Sequence, residues 1–284
     1  MRVGVFCTGT AEVMGLPPAL GRLWPSHLFV AVPRRLEPNG RLVPFDALTS
    51  TRLRPDQPLG THAKRLFDAV ISELQARRDR IDLAVVVDDL ELANADQAAV
   101  VVDRVRAFAR GWAEPDKTGA KALELRERVS FHLAVPMLEA WFFADPPSLG
   151  LAADRAPRLV GDDPERFETD DPAYLEHEVR HCPQGAAWRS AEPTRHPKRY
   201  LQWLFRDAPT GCGTTYKESD HGVEALRALD WRRSLARAAS MTYLRALIRD
   251  LEDALGPSSL VGGGDEALAV SRAAAPRDRV LRNL

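Results

Sequence analysis

The side chains best suited to chemistry in this chain are carboxylates, and they stand at three places far apart in sequence. Glu12 follows the turn Thr8-Gly9-Thr10, the run Asp88-Asp89-Leu90-Glu91 follows an apolar stretch at 83–87, and Glu139 follows another at 129–135. In extended backbone alternate side chains share a face, so Asp89 and Glu91 can meet one cation while Asp88 points away. Glu12, from a neighbouring strand end, would bring a third carboxylate. Hard divalent cations such as Mg²⁺ take oxygen ligands and keep several waters, so two or three carboxylates suffice. The other reading of the acidic run is a solvated loop that caps the next helix.

Glu139 heads Glu139-Ala140-Trp141, and on a helix it either joins such a site or pairs with a nearby cation; Trp141, Phe142 and Phe143 suit a core. Lys198 lies in Arg195-His196-Pro197-Lys198-Arg199, which reads as a solvated helix start or as a phosphate-facing patch with Trp203 close by. Other motifs lead nowhere. Cys7-Thr8-Gly9 begins like a phosphatase loop, but Val13 stands where the arginine belongs, so Cys7 reads as a core cysteine. His177, His181 and Cys182 have loosely zinc-like spacing without a second ligand pair. There is neither a G-x-x-x-x-G-K-[ST] loop nor a G-x-S-x-G elbow.

The elements that must position these groups alternate. Residues 2–7, 28–32, 83–87 and 129–135 read as strands, and 62–78, 96–110 and 197–205 as helices. Pro17 and Pro18 predict a helix that begins there and runs to Trp24. Leu235, Leu244, Leu247, Ile248, Leu251 and Leu255 predict one amphipathic helix stopped at Gly256-Pro257. Continuous apolar strands alternating with helices predict a parallel α/β sheet, with functional groups where strands end. The expected organisation is an α/β domain over 1–145, a loop-rich insertion and helical C-terminal part of the same unit over 146–256, and a flexible tail over 257–284.

Composition narrows the function. The 284 residues fit one large or two small domains. With 39 basic against 40 acidic residues, the net charge of −1 argues against unaided, tight, nonspecific nucleic-acid binding. The odd count of 3 cysteines implies no disulfide framework. With no apolar run near the ~20 residues of a membrane span and no leader pattern, a cytoplasmic protein away from membranes is expected.

The order Thr8-Gly9-Thr10-Ala11-Glu12, Asp89-Leu90-Glu91, Glu139-Ala140-Trp141, then Pro197-Lys198 and Tyr216-Lys217 resembles an uncharacterised Toprim-like bacterial family. That family carries an E-G-x-x-E turn, a D-x-D turn and an E-A-W helix, and is distantly similar to the overcoming-lysogenization-defect nucleases. The resemblance spans residues 1 to 255, each motif being short and their common order carrying the likeness. It implies a Toprim-like parallel sheet flanked by helices, with a mostly helical C-terminal part. It also implies that Glu12, Asp89 and Glu91 are ligands of Mg²⁺ or Mn²⁺, that Glu139 is a further acidic site residue, and that Lys198 or Lys217 offsets charge on phosphate. Such families occur beside ATPase genes in phage-defence loci. The function implied is a Mg²⁺-dependent phosphodiesterase, a nuclease component of a defence-type system. Its rivals are a non-catalytic subunit that binds a separately encoded ATPase or nucleic acid, and a small-molecule phosphohydrolase. Two positions depart from the pattern: Thr8 replaces the first glutamate and Glu91 the second aspartate. A Toprim-like arrangement would turn the Thr8 hydroxyl toward the same acidic pocket as Glu12, weakening a second cation.

Overall fold

The computed structural model describes residues 1–181, 192–206, 216–236, 240–260 and 279–284. Four strands, β1 (Arg2–Cys7), β2 (Leu28–Ala31), β5 (Leu83–Asp89) and β6 (Val129–Ala134), form a wholly parallel sheet in the order β2-β1-β5-β6. Between them, β3 (Arg35–Leu36) and β4 (Leu42–Val43) make a short antiparallel pair. Val3, Val5 and Cys7 face one apolar layer and Phe6 faces the other. A strand covered on both sides has no polar face to display, which is why these runs do not alternate.

The first layer is built by α1 (Thr10–Gly21) with α7 (Pro197–Leu204), α8 (Val223–Ala228), α9 (Trp231–Leu235) and α10 (Thr242–Leu255). The second is built by α2 (Thr61–Leu74), α3 (Ala98–Ala113) and α4 (Ala120–Arg128). Two further α-helices are α5 (Glu139–Phe142), directly after β6, and α6 (Pro172–His181). The α/β class, the flanked parallel sheet and the mostly helical C-terminal part agree with the expectation from sequence. No helix among the described residues is long and apolar enough to cross a membrane.

The topology selects one edge of this sheet. The chain leaves β1 for β2 on one side and returns through α2 to β5 on the other, so the connections diverge beyond the carboxyl ends of β1 and β5. Ligand crevices of open α/β sheets form at such switch points.

Several expectations are corrected. α1 begins at Thr10 and carries Pro17 and Pro18 in its interior, rather than starting at them. Two amide donors are forgone there, but Ala11, Val13, Leu16, Ala19 and Leu20 are buried against the sheet, and packing outweighs propensity. Gly15 lets α8 come close: a Cβ there would lie 2.8 Å from Leu226 Cδ1. The single helix expected over Leu235 to Leu255 is two, α9 and α10. α10 starts where a distant turn caps it: the Glu165 carboxylate accepts the amides of Tyr243 (2.9 Å) and Leu244 (2.8 Å), and Asp163 accepts that of Met241 (3.0 Å).

The segment 146–196 is loop-rich where described, yet Leu149, Phe167 and Tyr174 belong to the same apolar layer as the sheet. The expected flexible tail does not hold for Arg279–Leu284, which straps the free edge of β6. There the Asn283 side chain accepts the Phe131 amide (3.0 Å) and donates to the Phe131 carbonyl (2.7 Å), as a neighbouring strand would, while Leu281 is fully buried. An uncovered edge strand is a pairing hazard, which explains the strap. Cys182, Cys212 and the glycines 262–264 lie outside the described residues.

Candidate active site

Beyond the last residue of β1 the backbone turns at Thr8 and Gly9 into α1, and Glu12 sits in the first helical turn. Its side chain folds back over Gly9 so closely that a Cβ on that glycine would lie 2.0 Å from Glu12 Oε2. Only glycine leaves that space open. Glu12 is 4% exposed, and burial first, then the charge of Glu139, pushes its carboxyl up to about 8.

β5 supplies the next group. Its register places Cys7 beside Val87, so Thr8 falls level with Asp88. Asp88 and Asp89 are the last two residues of the strand and face opposite ways. Asp88 accepts the Thr8 hydroxyl (2.6 Å) and the Leu48 amide (3.3 Å), and burial raises its carboxyl to about 7 in spite of those bonds. Asp89 turns toward Glu12 and accepts the Leu138 amide (2.9 Å); burial and the charges of Glu12, Glu139 and Glu91 lift its carboxyl well above the ordinary range. Glu91 follows with φ +60° and ψ 149°. That region is essentially reserved for glycine and costs about 1–3 kcal/mol, so the strained backbone aims a carboxylate at some energetic cost.

β6 ends beside Asp89, and after the turn at Val135-Pro136 α5 opens with Glu139, itself 4% exposed. The Tyr216 hydroxyl donates to Glu139 Oε1 (3.4 Å), and Lys198 Nζ, from the first turn of α7, lies 3.8 Å from the same oxygen. Lys198 also ion-pairs with Glu218. Burial raises the Glu139 carboxyl, Lys198 opposes that rise and Glu218 adds to it. Burial disfavours the Lys198 ammonium, but Glu139 and Glu218 outweigh it and hold Lys198 above its usual range. Glu91 is raised by burial, with Lys198 opposing and Glu139 and Glu218 reinforcing. The Cys7 thiol, facing this side of the sheet, is pushed well up by burial and by Glu12 and Asp89. It is fully buried in the core.

Glu12, Asp89, Glu91, Glu139 and Lys198 therefore meet in one crevice at the switch point. Lys217 does not join them: its side chain is 69% exposed and its ammonium lies 3.8 Å from Asp220. Thr8 does not face Glu12 as expected, because the strand register gives its hydroxyl to Asp88 on the other face. Glu218 was missed by sequence reasoning. No sequence pattern marks it: only the extended backbone at Lys217 (φ −126°, ψ 126°) puts Tyr216 and Glu218 on one side and Lys217 on the other. Of the zinc-like spacing, His177 is buried and hydrogen-bonds Arg206, while the His181 side chain and Cys182 lie outside the described residues.

Chemically, the crevice offers only hard oxygen donors and an ammonium. Among the described residues no three carboxylate, histidine or cysteine side chains are posed as a ready-made metal cage. The positive charge inside the cluster comes from Lys198. No family model, curated protein or solved structure matches this chain.

Proposed function

We propose that this chain is a divalent-cation-dependent phosphodiesterase acting on nucleic acid, with a place in a defence-type system. The observation that carries the reading is the meeting of Glu12, Asp89 and Glu139, from the ends of three neighbouring parallel strands, with Glu91 and Lys198 in one largely buried cluster. The donor set suits a hard cation: every anionic group is a carboxylate, and Gly9 clears space for the one on Glu12. Glu12, Asp89 and Glu91 would hold Mg²⁺ or Mn²⁺, with Glu139 as a further carboxylate. When bound, such an ion supplies positive charge to a phosphoryl oxygen and makes water acidic enough to attack.

The chain's own groups do the rest. Lys198 carries its ammonium on a flexible stem and offsets negative charge developing on a phosphoryl oxygen. Tyr216 holds the Glu139 carboxylate through its hydroxyl, and the Leu138 amide holds Asp89. Lys217 has no part in this reading. Nucleic acid as substrate and a separately encoded ATPase as partner rest on the Toprim resemblance alone.

A second reading, a non-catalytic subunit that binds an ATPase or nucleic acid, draws on one observation. The Thr8 hydroxyl is committed to Asp88, so the crevice has no carboxylate at the first motif position. Melts and cleavage assays separate the two. A ligand that binds only the folded state adds about 2.7 kcal/mol at 100 times Kd. Saturating Mn²⁺ should therefore raise the melting temperature of wild type and not of Asp89→Ala, and Mn²⁺-dependent cleavage of single- or double-stranded DNA or of RNA should vanish in the same variant. Metal binding without cleavage of any of these substrates favours the second reading; no metal response in either protein defeats the first.

A further inference from the structure

Lys198 is the ammonium among the described residues that enters the acidic crevice, and it does so by two ion pairs. One partner, Glu139, follows β6 and is steadied by Tyr216; the other, Glu218, comes from the turn before α8 and takes no part in the set of groups proposed to hold a cation. That turn is pinned in place. A Cβ on Gly222 would lie 3.0 Å from both Ala11 Cβ and the Tyr216 hydroxyl, so the segment carrying Glu218 packs directly on the helix that carries Glu12. Phe205 packs tilted against Tyr216 at 5.6 Å and His221 stacks on it at 6.0 Å between ring centres. Lys198 itself is less constrained. It is the second residue of α7, directly after Pro197, and 29% of its side chain reaches solvent.

We propose that Lys198 is a stand-in cation held in the crevice by Glu218, and that a phosphodiester draws it out and thereby admits the divalent ion. The inference rests on the metal-site reading above. One position has two alternative occupants. While the ammonium lies against Glu139, a divalent cation must compete with it for the same oxygens and for the same negative potential. A phosphodiester oxygen offers Lys198 an equivalent anionic partner nearer to solvent, and the four-carbon stem allows the exchange without moving α7. Glu218 is then a positioning residue that sets how firmly the ammonium stays. Substrate and metal consequently bind with positive coupling, each tightening the other by the same factor. The protein alone would be a weak metal binder, in keeping with the lack of a ready-made cage among the described residues.

The test is calorimetric titration with Mn²⁺ of wild type, Lys198→Met and Lys198→Arg, each with and without a phosphorothioate-backbone thymidine oligonucleotide. Removing a unit charge that lies 3.8 Å from a Glu139 oxygen, beside the ligand carboxylates, should tighten Mn²⁺ binding by about tenfold or more in Lys198→Met without oligonucleotide. Lys198→Arg, which keeps the charge, should bind Mn²⁺ as wild type does. The oligonucleotide should tighten Mn²⁺ binding severalfold in wild type and leave Lys198→Met unchanged. Glu218→Gln, which loosens the hold on the ammonium, should reduce that coupling while the fold persists by circular dichroism. Equal or weaker Mn²⁺ binding in Lys198→Met overturns the stand-in role, and so does an oligonucleotide effect that survives in that variant. If no variant binds Mn²⁺ at all, the metal-site reading falls with it; if wild type binds Mn²⁺ and Lys198→Met gains nothing, only the present inference falls.

Discussion

Glu12→Gln should make the metal-free protein more stable at pH 8 while leaving it close to wild type at pH 5. The Glu12 carboxyl is raised from its ordinary value of 4.5 to about 8, by burial first and by Glu139 second. Between those two pH values the folded protein keeps a proton that the unfolded chain gives up. The associated stability is complete below pH 4.5 and is lost as pH climbs through about 8. At about 1.4 kcal/mol per pH unit, that span caps the effect near ~5 kcal/mol. Asp89 and Glu139 share the repulsion, so relief at one position should return less, roughly 2–3 kcal/mol, or about 4–8 °C in melting temperature. Glutamine is neutral at every pH and keeps the shape, so it mimics the protonated side chain.

The wild-type curve should fall in the same window. Asp88 and Glu165 are each raised to about 7, chiefly by burial, and lose stability in the same direction as pH rises. Asp250 works the other way: despite its burial, His132 and Arg282 hold it below the usual range, so its contribution is lost only on acidification. The assay is thermal or urea melting in chelator from pH 5 to 9. A wild-type melting temperature that climbs from pH 5 to 8, or a Glu12→Gln protein that melts below wild type at pH 8, would show that this carboxylate is not unfavourably buried. The reasoning about the crevice would go with it.

Further expectations follow from individual contacts. Gly9→Ala should fold, because the atom it strikes is the far end of a side chain, but it should drive the Glu12 carboxylate out and abolish stabilisation by Mn²⁺ in melts. Glu91→Gly should relieve the strained backbone and raise stability by about 1 kcal/mol in chelator, while weakening Mn²⁺ binding by calorimetry. Thr8→Glu should not improve metal binding; it sets a second carboxylate against buried Asp88 and should cost about 1–3 kcal/mol in urea melts. Removal of residues 279–284 should cost a similar amount through the exposed amide and carbonyl of Phe131, and light scattering should report association through the bared β6 edge.

The strands were legible because burial on both faces leaves continuous apolar runs, as at Leu83, Ala84, Val85, Val86 and Val87. Their exact ends were not. β5 runs on through Asp88 and Asp89, whose roles depend on neighbours 40 or more residues away, Thr8 and Leu48 for one and Leu138 for the other. The placement of Thr8 failed for the same reason. Side chains along a strand alternate, so an error of one residue exchanges Cys7 for Thr8 in the crevice. α1 was misjudged because two prolines speak against a helix locally, while the contacts that hold it come from the sheet and from α8 more than 200 residues on. Glu12, Asp89 and Glu139 could be picked out as strand-end carboxylates. Which lysine joins them is decided by backbone phase at Tyr216-Lys217-Glu218, and no hydrophobic periodicity reports that phase.

The strongest ground for setting the crevice apart is a contrast within this one chain. Four buried carboxylates elsewhere are each answered by a specific partner. Asp145 meets Arg233 and the Asp230 amide, Glu178 meets Arg199, Asp250 meets His132 and Arg282, and Glu165 takes the amides that open α10. Those are structural acids: each satisfies donors that would otherwise be stranded, and the loss of either partner would leave the other exposed to the full cost of desolvation. At the ends of β1, β5 and β6 the proportion is reversed. Glu12, Asp89, Glu91 and Glu139 crowd together with Glu218 around Lys198, and each of the first four is raised by burial and then by the charge of another carboxylate of the group. Asp89 and Glu139 accept the Leu138 amide and the Tyr216 hydroxyl, but neither bond requires a charged acceptor. Glutamine or leucine in those places would remove several kcal/mol of repulsion from a fold whose whole stability is of order 5–15 kcal/mol. A backbone outlier at Glu91 and a glycine kept free for the Glu12 carboxylate add to that expense. A sheet so thoroughly packed on both faces can carry such a cluster, and the cation proposed above would turn these unfavourable terms into binding energy.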